Sequence, residues 1–200
     1  MARRGRFIAL EGGEGSGKST QAARLAGALG AVLTREPGGT RTGEHIRALI
    51  LDPDLPAIGE RSETLLLLAA RAQHVSEVIR PALVAGRDVV CDRFSGSTLA
   101  YQGYGRGLDT AELARMSAWA SGGLEPDRVI LLRVPPAEAG RRRRSRGAID
   151  RFEGEPEAFF LRVSAGFDAL AAADPDRWSV VDGSGSVDEV GERVAAAVSR

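Results

Sequence analysis

The 200-residue chain contains no asparagine and a single lysine, Lys18; every other member of its 27 basic residues is arginine. Without asparagine there can be no N-K-x-D sequence of the kind that reads guanine in GTPases. One cysteine, Cys91, excludes an internal disulfide, and with only two histidines, His45 and His74, it excludes zinc sites of the usual ligand sets. Aromatic residues make up 5%, and 27 acidic residues balance the 27 basic ones. Both facts argue against a nucleic-acid surface, which needs phosphate-neutralising charge and stacking platforms. No apolar run approaches the roughly 18 residues that span a bilayer. The apolar run at 7–10, behind a basic N-terminus, is too short for a signal peptide. A reducing cytoplasmic address, with neither membrane nor nucleic-acid partner, is therefore expected. Hydrophobic residues reach 43%, enough for the core of one domain spanning 1–200.

Short apolar runs alternate with helical patterns. Strands are predicted at 6–11, 31–35, 88–92, 128–134 and 178–182, and helices at 19–29, 43–51, 62–85, 109–120, 136–144, 156–173 and 187–199. Gly30 closes the first helix and Asp109 caps another. Leu65, Leu68, Ala69 and Val75 share one side of the long helix, with Pro81 as a point of kinking. Strands separated by helices predict an α/β fold whose parallel sheet is covered on both faces, with ligands beyond the carboxyl ends of the strands.

The first strand runs into Gly12, Gly13, Glu14, Gly15, Ser16, Gly17, Lys18 and Ser19, which fits G-x-x-x-x-G-K-[ST] between a strand and a helix. Glycines allow successive backbone N–H groups to surround a phosphate, and the helix N-terminus adds partial positive charge. Lys18 is suited to the β- and γ-phosphates and the Ser19 hydroxyl to Mg²⁺. A chain that uses arginine everywhere else keeps a compact ammonium at this one place. The pattern implies binding of a nucleoside triphosphate. Asp182-Gly-Ser-Gly185 fits a D-x-x-G switch formally but is too short to be diagnostic. The small size favours a small-molecule kinase over an ATPase coupled to motion.

Asp92-Arg93-Phe94 closes the third strand. Asp92 could hold a Mg²⁺-bound water beside the P-loop, with Arg93 placed for a second phosphate, or the pair could be an ordinary strand-end ion pair. Arg141 to Arg144, Arg146 and Arg151 form a basic cluster. Such runs are commonly solvated faces. In a phosphotransferase they could instead close over a triphosphate, neutralise the transferring group and exclude water.

EGGEGSGKST at 11–20, TREPGG at 34–39, DRF at 92–94, AYQGYGRG at 100–107 and the arginine loop occur in the order seen in bacterial thymidylate kinases, and the similarity covers nearly the whole chain. The resemblance implies a P-loop NTPase three-layer sandwich with a five-stranded parallel sheet and an arginine lid at about 141–154. It also implies transfer of the ATP γ-phosphoryl group to dTMP with Mg²⁺, giving dTDP for dTTP synthesis, by a homodimer. Alternatives are another nucleoside or nucleotide kinase, or a P-loop ATPase switch protein.

By the same resemblance Glu14 lies near the dTMP 3′-hydroxyl and Arg93 on its phosphate. Arg71 reaches the thymine carbonyl, and Pro37 packs against the acceptor. Ser97, Thr98 and Gln102 surround the base, while Tyr101 lies under the sugar where a 2′-hydroxyl would be. The loop 182–186 is expected near adenine. The lid is expected to supply the catalytic arginine, from Arg144 or Arg146, with Arg151 next. Two positions depart from the family. Leu67 stands where a phenylalanine usually stacks on thymine, so weaker base binding rather than a different substrate is expected, the alternatives being that Leu67 is plain core and that a neighbouring aromatic serves. Phe94 stands where tyrosine or histidine is frequent.

Overall fold

A computed structural model describes residues 3–144, 151, 152 and 154–198, without the side chains of residues 136, 143 and 144. Five strands, β1 (Phe7–Glu11), β2 (Val32–Arg35), β3 (Val89–Asp92), β4 (Arg128–Arg133) and β5 (Trp178–Asp182), form one sheet in the order β2-β3-β1-β4-β5, and all neighbours are parallel. The register sets Leu10 opposite Asp92 on β3 and Ile130 on β4. Every residue of β1 is buried, as a central strand covered on both faces requires. The chain leaves β1 for β2 on one side while β4 pairs on the other. The carboxyl end of β1 is thus where ligands of open α/β sheets bind.

Period-two alternation divides the core. Ile8, Leu10, Val90, Ile130, Leu132 and Val181 face Ala22, Leu25 and Ala26 of α1 (Lys18–Leu29) and Val190 and Val194 of α9 (Val187–Val198). Phe7, Ala9, Val89, Cys91 and Val129 face Val75, Ile79, Ala82, Leu83 and Phe94 on the other side. Leu131 joins Phe159, Val163 and Phe167 of α8 (Glu157–Ala173) in a third cluster that also holds Tyr101.

The helix start and stop signals have the expected partners. Gly30 caps α1 with φ 62°, the Thr40 hydroxyl caps α2 (Arg41–Leu51), and Asp109 caps α6 (Thr110–Ser121) by accepting from Glu112 N. The predicted helix 62–85 differs. It consists of α3 (Glu60–His74), a π-type turn at Val75–Ile79 and α4 (Arg80–Val84). Arg80 N donates to Val75 O, and this widened turn lies immediately ahead of Pro81, which has no N–H to give.

The buried stripe of α3 also differs from the apolar reading. Thr64, Leu68, Arg71 and Val75 are buried while Leu65 is 57% exposed. Polar side chains hold the inward positions because α3 faces a polar cavity. Residues 95–105, where no element was expected, form α5 (Ser95–Thr98) and a π-helical segment (Leu99–Gly105) packed against α8. The remaining helix, α7 (Pro136–Arg144), follows β4. Among the described residues, no helix is long and apolar enough to cross a membrane.

Candidate active site

The loop after β1 wraps the amino end of α1. Gly12 has φ 141° and Gly15 φ 77°, and a Cβ would lie 2.5 Å from Leu132 O at the first and 2.6 Å from Ala139 O at the second. Gly17 caps α1 with φ 89°. Only glycine satisfies these torsions and approaches at once. Lys18, 5% exposed, folds back over the loop and donates from Nζ to Gly13 O at 2.7 Å and Ser16 Oγ at 3.3 Å. Burial, with Arg93 nearby, lowers its pKa to about 8. A buried ammonium held by one carbonyl and one hydroxyl is poised for an anion that satisfies it better.

One strand over, Asp92 ends β3. Its Oδ2 accepts from the Ser19 hydroxyl, and its Oδ1 is buried with no hydrogen-bond partner. A hydroxyl and a carboxylate with an unused buried oxygen form the hard-oxygen donor set that suits Mg²⁺.

Arg93 follows with φ 73°, the only non-glycine residue in the left-handed region among those described. This conformation is costly for a bulky side chain and is characteristic of functional sites. It sends the guanidinium across the mouth of the P-loop. There NH1 donates to Gly12 O at 3.1 Å and Ser97 Oγ at 3.0 Å, while NH2 donates to Glu14 and to the Tyr101 phenol oxygen at 3.2 Å. The guanidinium lies 5.0 Å from the Tyr101 ring centroid. Burial alone would lower the Arg93 pKa, but Glu14, Tyr101 and Asp92 together raise it. Burial pushes the Tyr101 phenol up and keeps it neutral. Glu11, wholly buried beneath this group, accepts from Phe94 N, Ser97 N and Ser97 Oγ and fixes the 94–97 turn.

Glu14, Lys18, Ser19, Asp92, Arg93, Ser97 and Tyr101 line a cavity of about 230 Å³. Arg71, 3% exposed, also lines it; its NH2 donates to Thr98 Oγ1 and its NH1 to Ser117 Oγ. Glu36 accepts from Arg71 Nε at 2.8 Å and its Oε1 lies 3.1 Å from His74 Nδ1. Burial would raise the Glu36 pKa, yet Arg71 and His74 lower it. The arginine is also stacked 4.9 Å over Phe94, which rests edge-on against Phe7.

Of the residues expected from sequence, Glu14, Gly15, Gly17, Lys18, Ser19, Pro37, Leu67, Arg71, Asp92, Arg93, Ser97, Thr98, Tyr101 and Gln102 all line this cavity. Leu67 is half-buried and faces it, so it is not plain core. Gly12, Gly13 and Ser16 do not line it; Gly13 and Ser16 line a separate, smaller cavity. Arg151 does not line it. Its NH2 is paired with the fully buried carboxylate of Glu63 and its Nε donates to Ile50 O, because a buried carboxylate demands counter-charge. Arg146 lies outside the described residues, as does the side chain of Arg144. Of the other lid cations, Arg142 pairs with Glu138 and donates to Gly183 O. Five more residues on the cavity wall were not singled out: Arg35, Glu36, Arg47, Leu51 and Phe152. Arg35 and Glu36 sit inside the TREPGG motif, which marked the segment. Nothing local in sequence marks Arg47 or Leu51.

A parallel sheet of this order, a phosphate cradle at its central strand and a polar cavity that Arg93 joins to that cradle define a P-loop nucleotide kinase, a phosphotransferase that holds donor and acceptor side by side. The thymidylate kinase family model matches residues 10–194. The chain is 48% identical to the thymidylate kinase of Solidesulfovibrio magneticus, over 97% of this chain and 99% of that protein. It is 49% identical to that of Desulfovibrio desulfuricans, over 92% and 90%. The crystal structure of thymidylate kinase from Ehrlichia chaffeensis superposes with a TM-score of 0.81 at 31% identity, covering 98% of this chain and 99% of the other. The chain belongs to the thymidylate kinase family.

Proposed function

We propose that this protein transfers the γ-phosphoryl group of ATP to dTMP, giving dTDP and ADP, for dTTP synthesis. The observation that carries this reading is Arg93. Its strained backbone lets one guanidinium bridge the P-loop, through Gly12 and Glu14, and the neighbouring pocket, through Ser97 and Tyr101. In this reading the P-loop amides and Lys18 hold the donor phosphates, and Arg93 holds the acceptor phosphate in competition with Glu14. An oxygen of the acceptor phosphate then bonds to the γ-phosphorus as the bond to the β-phosphate oxygen breaks. Ser19 and Asp92 would hold Mg²⁺, which supplies charge neutralisation between the phosphates when bound.

On the acceptor side Arg71, positioned by Glu36, faces the pyrimidine carbonyl, with Pro37, Leu67, Thr98 and Gln102 around the base and Tyr101 beneath the sugar. Residues 141–154 form the lid, and Arg144 or Arg146 supplies the cation for the transferring group, since Arg151 is engaged by Glu63. The reading includes a cytoplasmic homodimer. Leu65 on α3 and Trp119 on α6, 57% and 85% exposed, offer apolar surface that a second copy would cover.

Measuring ADP and inorganic phosphate together with and without dTMP tests the reaction class. One dTDP per ADP, formed only with acceptor present, supports the kinase. Phosphate release that ignores dTMP would instead identify an ATPase.

A further inference from the structure

Glu63 lies on α3, wholly buried, and is absent from the cavity lining. It nevertheless collects three groups from distant parts of the chain. Its Oε1 accepts from Gln102 Nε2 at 2.9 Å and Arg106 Nε at 3.2 Å. Its Oε2 accepts from Arg106 NH2 at 3.1 Å and from Arg151 NH2. Arg106 also pairs with Glu155, so two guanidiniums and two carboxylates balance in one cluster. Both guanidiniums lie against the same ring: Arg106 is 5.7 Å and Arg151 5.2 Å from the Phe152 centroid. Phe152 meets Tyr101 edge-on at 6.0 Å and lines the cavity, as do Gln102 and Leu67.

Two consequences follow from the chemistry of a carboxylate. It only accepts hydrogen bonds, so the Gln102 amide must turn its NH₂ toward Glu63, and the carbonyl oxygen is the end left for the cavity. An acceptor there suits a pyrimidine that carries a ring N–H, as thymine does. Cytosine presents a ring acceptor instead. The negative charge also keeps two arginines together over one ring. Without it they repel, and Phe152 loses the support of these two cations.

We infer that Glu63 is a positioning residue for the acceptor pocket: it fixes the Gln102 amide with its oxygen toward the cavity and, through Arg106 and Arg151, holds Phe152 as a pocket wall. Phe152 thereby supplies an aromatic surface in a pocket where position 67 is leucine. This inference rests on the dTMP kinase reading of the same site.

The test compares the wild-type protein with Glu63→Gln, Phe152→Ala and the double variant, using thermal unfolding and steady-state kinetics with dTMP, dCMP and ATP. Glu63→Gln lets either end of both amides face the other. It is expected to raise KM for dTMP about tenfold, to lower the dTMP-to-dCMP ratio of kcat/KM by a similar factor, and to leave KM for ATP within about twofold. Phe152→Ala is expected to raise KM for dTMP by several-fold, roughly, and Phe152→Tyr to restore it. The double variant is expected to fall short of the product of the single effects, because one residue acts partly through the other.

If Glu63→Gln does not fold, Arg151→Lys, which keeps the charge but loses the fork, replaces it in the same cycle and must be sub-multiplicative with Phe152→Ala. An unchanged KM for dTMP, an equal rise in KM for ATP, or fully multiplicative effects would overturn the inference. Wild-type protein that makes no dTDP overturns the kinase reading itself. Wild-type turnover with variants that leave dTMP recognition intact overturns only the role of Glu63.

Discussion

Ser19 and Asp92 join the first turn of α1 to the end of β3 through one hydrogen bond, and the second oxygen of Asp92 stays buried without a partner. That unmet acceptor is expensive in a protein interior unless a cation completes it. Asp92→Asn is therefore expected to lower kcat by about 10²-fold or more and to raise the Mg²⁺ concentration needed for half-maximal rate. Chelation of divalent ions should stop ADP formation, and added Mg²⁺ should restore it. A variant with the wild-type Mg²⁺ requirement would show that Asp92 serves only to brace Ser19.

Lys18 gives a prediction of opposite sign for stability and activity. Its folded-state pKa of about 8 lies below the unfolded value of 10.5. Between these two pH values the unfolded chain binds more protons, so ligand-free stability rises with pH from about 8 to 10.5, and below 8 the folded protein carries the whole desolvation cost. Lys18→Met should abolish phosphoryl transfer yet raise ligand-free stability at pH 7 by about 1–3 kcal/mol. The advantage should shrink as pH rises toward 10. Thermal unfolding of both proteins at pH 7 and 9.5 checks this. A variant less stable at pH 7 would mean that the ammonium is not held at a cost. Lys18→Arg should also be impaired, because a planar fork does not fit where a point charge contacts Gly13 O at 2.7 Å.

The lid prediction separates binding from chemistry. Alanine at Arg144 or Arg146 is expected to lower kcat by about 10³-fold at whichever position acts on the transferring group, with a smaller change in KM for dTMP. Arg151→Ala should act differently: it should lower thermal stability by leaving Glu63 short of counter-charge. If each lid substitution alters only KM for ATP, the lid clamps the donor and does no more.

How legible the site was depends on whether its residues are neighbours in sequence. The P-loop and the TREPGG segment are contiguous, so Gly12 to Ser19 and Pro37 were readable from spacing and resemblance. Arg93 was readable as a residue but not as a conformation, because its φ of 73° is imposed by Leu10, Gly12 and Ser97 around it. The segment 95–105 was missed as helix because its Ser, Gly, Tyr and Gln residues lack an apolar period. Packing on α8 makes it helical. The α3 stripe departs from the apolar pattern for the reverse reason: Leu65 fits the pattern but is exposed, whereas Thr64 is buried with its hydroxyl on Glu60 O and Arg71 lines a polar cavity. Glu63 was invisible because its partners lie 39, 43 and 88 residues away.

Substrate choice tests the central claim most directly, through ADP release with a panel of nucleoside monophosphates at equal concentration. Arg71, buried and fixed by Glu36, Thr98 and Ser117, offers only donors to the base, so the cytosine amino group would leave the N–H that faces it unpaired at about 1–3 kcal/mol. Tyr101 is buried against Phe152, Phe159 and Phe167 and cannot yield to a 2′-hydroxyl. Loss of the thymine methyl costs a similar 1–3 kcal/mol or so. The expected order is dTMP first, dUMP slower but measurable, and dCMP, AMP and GMP poor. Preference for a purine monophosphate, or for thymidine lacking its phosphate, would contradict the account.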